Sequence, residues 1–319
     1  MAHSRLTLAL DSAAPVLPDG PVRVLRPPAD YDLSALEPAR VEIDHGFKPD
    51  HDAWAARGYA TAGSGPVPTV LVVVPRSKAL ARRLVAHALH AATGLVIVDG
   101  ARTDGVDSLY KACRGWAPVA GTLIKAHGRL FWFAPDGVPD WDTPDRWVDG
   151  FRTQPGVFSE GKVDPGSRLL AGALPPLSGR VADLGAGWGY LSAAVLAHPG
   201  VTHLDMIEAE ALALDCLAEN ISDPRARALW ADGTRFTTET RYDAVVTNPP
   251  FHSARKGLPE LGQAFLATAA RLLKPSGSLY LVANRHLPYE TRLRELFAQV
   301  QEVGGDRAFK LIRAARPRR

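Results

Sequence analysis

The stretch GRVADLGAGWGYLSAAVLAH, residues 179–198, sets the frame for the rest of the chain. A short apolar run ends in Asp183, glycines follow at 185, 187 and 189, and an apolar-periodic segment begins at once. Strand, glycine turn, helix is the predicted order. Glycine admits positive φ and lets a ligand approach the backbone, and the helix start leaves free N–H groups. A G-x-G-x-G turn alone leaves three readings open: a dinucleotide site, an S-adenosylmethionine site, or tight packing.

The segments that follow keep an α/β rhythm. VTHLDMIEAE (201–210) reads as a strand with Glu208 near its end, and ARALWADG (226–233) as another that leads to Asp232. RYDAVVTNPPFH (241–252) is a buried strand running into Asn248, Pro249, Pro250, Phe251 and His252. Adjacent prolines fit neither a helix interior nor a central strand, so they mark a rigid turn at the strand end. LGQAFLATAARLLKPSG (261–277) reads as a helix and SLYLVAN (278–284) as a strand. LPYETRLRELFAQVQEVGGD (287–306) holds a further helix, and AFKLIRAA (308–315) is a last strand. Asp183, Glu208, Asp232 and Asn248 thus fall at the carboxyl ends of successive strands, where open α/β sheets bind ligands. An acid in the place of Glu208 suits a ribose, and Asp232 stands where a base amine is read.

The N-terminal half carries a weaker version of the same pattern. PTVLVVVP (68–75) is a doubly buried strand and SKALARRLVAHALHAAT (77–93) a helix capped by Ser77. GLVIVDG (94–100) is a strand, and GTLIKAHGRLFWFAP (121–135) a hairpin turning at 127–129. Residues 1–65 give no clear pattern. Prolines at 135, 139, 144 and 155 mark 135–155 as a linker, and past it Asp164 followed by Pro165 reads as a helix cap and first turn. The length of 319 residues suits two domains, taken here as 1–140 and 150–319. The expected fold is α/β, two tandem Rossmann-like domains related by duplication, the N-terminal one degenerate, with two unrelated α/β domains as the alternative. Pro75 and Arg76 follow LVVVP where a glycine loop would stand, and that half has no Asn-Pro-Pro.

Composition is ordinary: 46% hydrophobic, 22% charged, net charge +3. The mild positive balance admits a polyanionic partner without requiring one. Cys113 and Cys216 make neither a disulfide framework nor a metal quartet, so no metal is expected and a reducing compartment fits. The first residues make a poor signal peptide, interrupted by Asp11, and no apolar run is long enough to span a bilayer. The expected location is the cytoplasm, with no membrane partner.

DLGAGWG and TNPPFH together resemble the class I S-adenosylmethionine-dependent methyltransferases that act on planar amino nitrogens. PGVFSEGKVDPGSRLL (155–170), LVANRHLPYE (281–290) and FKLIRA (309–314) narrow the resemblance. They are similar to segments of the ribosomal small-subunit guanine 2-amino methyltransferases of the RsmC type. The resemblance implies methyl transfer to the exocyclic 2-amino group of a guanine in ribosomal RNA, with S-adenosylmethionine as cofactor. It implies ribosomal RNA or a ribosomal subunit as partner; separately, a fold duplicated within one chain can take the place of a dimer, so a monomer is expected. Asp183, Gly185, Ala186, Gly187 and Gly189 would line the methionine side of the cofactor. Glu208 would take the ribose and Asp232 the adenine amine, with Phe158 and Ser159 closing over it. Asn248 and the Pro249 carbonyl would accept the two N–H bonds of the target amine, with Pro250 fixing the turn. Phe251 would stack on the base, and His252 would shape the pocket or contact the nucleic acid rather than act as a base. Arg255, Lys256 and Arg285 would meet phosphates. The N-terminal domain would be scaffold or RNA recognition.

Three rivals stand beside this reading. The same clamp serves adenine of nucleic acid or a protein glutamine, although Phe251 and the outer motifs argue against the glutamine enzymes. A nucleotide-binding oxidoreductase would need the Asn-Pro-Pro turn to be structural only. A non-catalytic RNA-binding or ribosome-assembly protein would not need an intact glycine loop. Trp188 inside that loop is a departure; it either packs away or narrows the pocket.

Overall fold

Alternation along single strands explains the layers. Val70 and Val72 enter one apolar cluster while Leu71 and Val73 enter another. In the C-terminal half Val245 joins one cluster, and Ala244 and Val246 join the other. A strand whose successive residues are buried on opposite faces is covered on both, which is why these runs read as continuous Val and Leu.

The computed structural model describes residues 4–12, 14–137, 139, 141, 143–250 and 259–318. It divides into two units, Met1–Pro144 and Asp145–Arg319. The break falls inside the predicted linker, but residues 146–153 of that stretch are a paired hairpin of the second unit rather than linker. The first unit holds α1 (Arg5–Asp11), β1 (Val22–Leu25), β2 (Val41–Asp44), α2 (Lys48–Ala56), β3 (Ala60–Thr61) and β4 (Val67–Val73). It continues through α3 (Lys78–Ala91), β5 (Ala92–Ala101), α4 (Val106–Cys113), β6 (Gly121–Lys125) and β7 (Gly128–Phe133). The second begins with a hairpin, β8 (Arg146–Val148) and β9 (Phe151–Thr153). It proceeds through α5 (Pro165–Ala173), β10 (Ser178–Leu184), α6 (Tyr190–Leu196), β11 (Gly200–Glu208), α7 (Ala211–Asn220), β12 (Ala226–Trp230) and β13 (Tyr242–Thr247). It closes with α8 (Pro259–Leu272), β14 (Leu273–Asn284), α9 (Tyr289–Leu296), β15 (Phe297–Gly305) and β16 (Phe309–Pro317).

The two seven-stranded sheets have one topology. Their orders are β3-β2-β1-β4-β5-β7-β6 and β12-β11-β10-β13-β14-β16-β15. In each, the first five strands of the order run parallel and the last two pairings are antiparallel. This shared order makes the chain a tandem of Rossmann-like domains.

The same order corrects how the halves correspond. β4 is the counterpart of β13, so Pro75 and Arg76 stand at the position of the Asn-Pro-Pro turn, not of the glycine loop. The counterpart of the glycine-loop strand is β1, followed by Arg26 at φ 54°, Pro27 and Pro28. The Trp54 indole donates to the Pro27 carbonyl at 2.8 Å and Trp54 is buried. A turn built of Arg-Pro-Pro against a tryptophan offers no open glycine backbone, and this is what makes the N-terminal domain degenerate.

Two local expectations shift. The helix expected within 287–306 occupies only 289–296; 297–305 is β15, an exposed edge strand with little apolar alternation to mark it. Within 1–65, unreadable in the sequence, the described residues include β1 to β3, α1 and α2. The caps hold: Ser77 accepts the Leu80 amide at 3.2 Å and Asp164 the Ser167 amide at 2.8 Å.

Candidate active site

Four parallel strands, β12, β11, β10 and β13, lie side by side and end together. Trp230 pairs with Glu208, Leu184 with Ile207, and Asp183 with Val246. Asp183, Glu208, Asp232 and Asn248 therefore reach one edge of the sheet on neighbouring strands or the loops just beyond them. Thr247 Oγ1 donates to the Leu184 carbonyl at 2.6 Å, tying the Asn-Pro-Pro strand to the residue before the glycine turn.

The turn needs its glycines for conformation. Gly185, Gly187 and Gly189 have φ of 81°, 55° and 99°. A Cβ at Gly187 would meet nothing within 4 Å, so the space beside that backbone is open. The amides of Gly185 and Ala186 donate to the Ile207 carbonyl at 2.9 and 3.0 Å, holding the turn against β11.

Asp183 is fully buried. Its Oδ2 accepts the Ser192 hydroxyl at 2.6 Å, and its Oδ1 has no hydrogen-bond partner among the described residues. Burial raises its carboxyl to about 7; the Ser192 bond opposes this and the Glu208 charge adds to it. A buried carboxylate with one lone oxygen is a seat for a cation. Glu208 accepts the Gly187 amide on Oε2 at 2.8 Å, and the amides of Ala209 and Glu210 on Oε1, both at 2.8 Å. Burial pushes its carboxyl up while these three amides pull it down. Asp232 Oδ1 takes the Thr234 amide at 2.8 Å and its hydroxyl at 2.6 Å, while Oδ2 stands 4.0 Å from the Arg235 guanidinium.

Trp188 packs away from the turn. It is 4% exposed, with Phe151 and Tyr190 rings 5.4 and 5.7 Å from its own. Its indole donates to the Phe158 carbonyl at 3.0 Å. That bond brings the segment carrying Phe158 and Ser159 to the glycine turn; the Phe158 ring is 60% exposed and Ser159 has φ 55°.

Asn248 Nδ2 donates to Asp164 Oδ1 at 2.9 Å and meets Ser167 Oγ at 2.8 Å. Its Oδ1 is buried and has no partner among the described residues. Pro249 is buried and Pro250 half-buried. Phe251, His252, Arg255 and Lys256 lie outside the described residues. Arg285, just past β14, donates to the Asp306 carbonyl at 2.5 Å and pairs with Glu302 at 3.0 Å, so its guanidinium is engaged with the β15–β16 hairpin. Sequence reasoning does not find Ser192, Thr247 or Ser167, and sees Asp164 only as a helix cap. The Asp-Pro-Gly-Ser spacing ahead of the glycine turn is the available signal.

Among the described residues no group of three or more His, Cys, Asp or Glu is placed to hold a metal, and no helix is long and apolar enough to cross a membrane.

A mostly parallel sheet with a glycine turn, a buried acid with one oxygen unpartnered among the described residues and an Asn-Pro-Pro turn on adjoining strand ends defines a class I S-adenosylmethionine-dependent methyltransferase. Residues 149–313 match the methyltransferase small domain model. The chain is 32% identical over 260 residues to ribosomal RNA small subunit methyltransferase C of Shewanella pealeana, covering 76% of each protein. It has the same identity and length of match to that of Shewanella oneidensis, covering 76% of this chain and 75% of the relative. The fold superposes with a TM-score of 0.78 and 27% identity on the T. thermophilus 16S rRNA N2 G1207 methyltransferase (RsmC) solved with AdoMet and guanosine, covering 94% of this chain and 89% of that one. The chain belongs to the ribosomal RNA small subunit methyltransferase C family.

Proposed function

We propose that this protein methylates the exocyclic 2-amino group of a guanine in small-subunit ribosomal RNA, using S-adenosylmethionine. The observation that carries the proposal is the buried Oδ1 of Asn248, without a partner among the described residues, an acceptor held ready for an N–H at the end of β13. Its family and its likeness to a guanosine-bound relative support guanine over adenine, because the clamp alone would take either amine.

The residues present fit the cofactor. Asp183 Oδ1, without a partner among the described residues, is an acceptor suited to an ammonium; the Glu208 carboxylate has one lone pair left, on Oε2, for a ribose hydroxyl; and the backbone at Gly187 is open. Asp232 Oδ2 remains for an adenine amine. Phe158 and Ser159 close this side, anchored through Trp188. When bound, S-adenosylmethionine supplies an electrophilic methyl on a sulfonium.

The amine of guanine is a weak nucleophile, its lone pair delocalised into the ring. Asn248 Oδ1 and the Pro249 carbonyl would accept its two N–H bonds and so turn the lone pair out of the plane towards the methyl. Pro250 and Pro249 fix that carbonyl at little entropic cost. Phe251 would stack on the base. The lone pair so directed would take the methyl that the cofactor supplies, and the nitrogen, acidic once alkylated, would lose its proton without a strong base. Positioning and electrostatics carry the rate. His252 would shape the pocket or contact the nucleic acid, and Arg255 and Lys256 would meet phosphates; Arg285 would do so only by releasing Asp306 and Glu302. A base within a helix cannot reach such a clamp, so an unpaired or flipped target is required. The N-terminal domain, without a glycine turn, serves as scaffold or RNA recognition, and the chain acts as a monomer in the cytoplasm.

The test is transfer from labelled S-adenosylmethionine to unmodified 30S particles, 50S particles, naked ribosomal RNA and a protein extract, with mass spectrometry of the digested nucleosides. Guanine methylated on its 2-amino group in small-subunit RNA is expected; label only as methyladenine or only in protein overturns the substrate. Asn248→Ala should lower transfer on the order of 100-fold and leave cofactor affinity within about twofold of wild type, since the side chain faces the amine and not the cofactor. Loss of both together would remove Asn248 from the clamp.

A further inference from the structure

A carboxamide has an oxygen and a nitrogen of nearly the same size, and only its hydrogen-bond partners decide which way each points. At Asn248 that choice decides chemistry. Oxygen towards the target amine gives an acceptor facing a donor; nitrogen there sets N–H against N–H.

The partners on the other side are Asp164 Oδ1 at 2.9 Å and Ser167 Oγ at 2.8 Å. An ionised carboxylate has lone pairs and no proton, so it only accepts. The reversed carboxamide would place Asn248 Oδ1 against Asp164 Oδ1, two acceptors face to face. The carboxylate therefore dictates that Nδ2 faces Asp164, and Oδ1 faces the other way, where it has no partner among the described residues.

Asp164 is itself fixed. It is the N-cap of α5, and the same Oδ1 accepts the Ser167 amide at 2.8 Å. Pro165 sets the first turn. A Cβ at Gly166 would come within 3.1 Å of both Asp164 Oδ1 and the Phe309 ring, so the seat has no slack. A helix start 84 residues away in sequence is thus locked onto the Asn-Pro-Pro turn.

We propose that Asp164, assisted by Ser167, is a positioning residue for methyl transfer: it orients the Asn248 carboxamide so that only its oxygen meets the amine. This rests on the reading of Asn248 as the amine clamp. Asp164 touches neither cofactor nor base; it acts through Asn248. It makes this side of the clamp acceptor-only, so the site takes an NH2 and repels a ring carbonyl.

Capping and orientation are separable by substitution. Asp164→Ser keeps an N-cap oxygen, but its hydroxyl has a shorter reach and a proton, and no longer dictates which end of the carboxamide turns inward. Asp164→Asn keeps the capping oxygen in place, and that oxygen still accepts Nδ2. Single-turnover transfer at saturating S-adenosylmethionine should fall on the order of 100-fold in Asp164→Ser. It should fall by no more than about tenfold in Asp164→Asn, and the melting temperature and cofactor affinity of both should stay close to wild type. Equal rates in Asp164→Ser and wild type overturn the proposal, as does a rate loss matched by a loss of cofactor affinity or of folding.

A second readout needs no substrate. The Asn248 side-chain NH2 resonance, assigned by its absence in Asn248→Ala, should exchange slowly with solvent in wild type and Asp164→Asn and rapidly in Asp164→Ser. Unchanged protection in Asp164→Ser overturns the proposal even if the RNA target is another than guanine. Failure of wild type to methylate guanine, with the protection pattern as expected, would sink the substrate and leave the orientation standing.

Discussion

Glu208 Oε2 accepts the amide of Gly187 at 2.8 Å, so the acid at the end of β11 holds the glycine turn that follows β10. Its Oε1 takes two further amides, of Ala209 and Glu210. One carboxylate thus shapes two loops and keeps one lone pair, on Oε2, for a ribose hydroxyl. In Glu208→Gln one oxygen becomes an NH2 that faces an amide N–H. Leaving such a group unsatisfied costs about 1–3 kcal/mol, which for a unit of this size is a melting point lower by roughly 2–10 °C. Cofactor affinity should fall at least about tenfold, the scale set by removing one hydrogen bond of about 1.4 kcal/mol to the ribose. Thermal unfolding and cofactor titration check the two effects. An affinity loss with unchanged melting temperature would mean that the Gly187 bond does not hold the turn.

Trp188 joins the glycine turn to the segment before it by side chain and backbone. Its indole donates to the Phe158 carbonyl, and its own carbonyl accepts Asn220 Nδ2 at 2.8 Å. Asn220 also bonds the Arg152 amide and carbonyl, at 2.7 and 2.9 Å. Trp188→Phe keeps most of the packing with Phe151 and Tyr190 and removes the donor; about 1 kcal/mol of stability should go with it. Trp188→Ala empties a buried aromatic site and should cost about 3–5 kcal/mol. If Phe158 and Ser159 close over the cofactor, Trp188→Phe should weaken cofactor binding by more than its stability loss explains. Equal affinity in Trp188→Phe and wild type would remove that segment from the cofactor site.

How much of this is legible in the sequence follows from which interactions are local. The glycine turn, the caps at Ser77 and Asp164 and the doubly buried strands depend on residues a few positions apart, and sequence pattern reads them directly. Glu208, Asp232 and Asn248 can be placed because strand ends in a parallel sheet converge. What the pattern does not carry is side-chain pairing across long separations, such as Asn248 with Asp164 and Ser167, or Thr247 with the Leu184 carbonyl. The duplication is visible as rhythm, but the rhythm aligns the wrong strands. β1 and β2 are four residues each, and the glycine turn that would flag β1 is replaced by Arg26, Pro27 and Pro28, so the stronger LVVVP strand takes its place in the alignment.

Asp183 makes cofactor binding depend on pH. Burial raises its carboxyl to about 7, so the free protein holds it protonated below that point. An ammonium on Oδ1 requires the ionised form, so binding must release the proton. Affinity should be nearly constant just above pH 7 and fall by about tenfold per unit below it. Calorimetric titration between pH 5.5 and 7.5, in two buffers of different ionisation enthalpy, reads both the slope and the proton. The stability of the free protein should move in the opposite direction. A carboxyl raised in the fold, from about 3.9 when unfolded, contributes stability that is complete below about pH 4, declines through about pH 7 and is flat beyond. Asp183→Asn removes that dependence. At pH 8 it should make the cofactor-free protein more stable than wild type, by at most about 4 kcal/mol, while binding the cofactor poorly. An affinity that does not change from pH 6 to 7.5, or an Asp183→Asn protein less stable than wild type at pH 8, would show that the buried acid is ionised and paired in the free state.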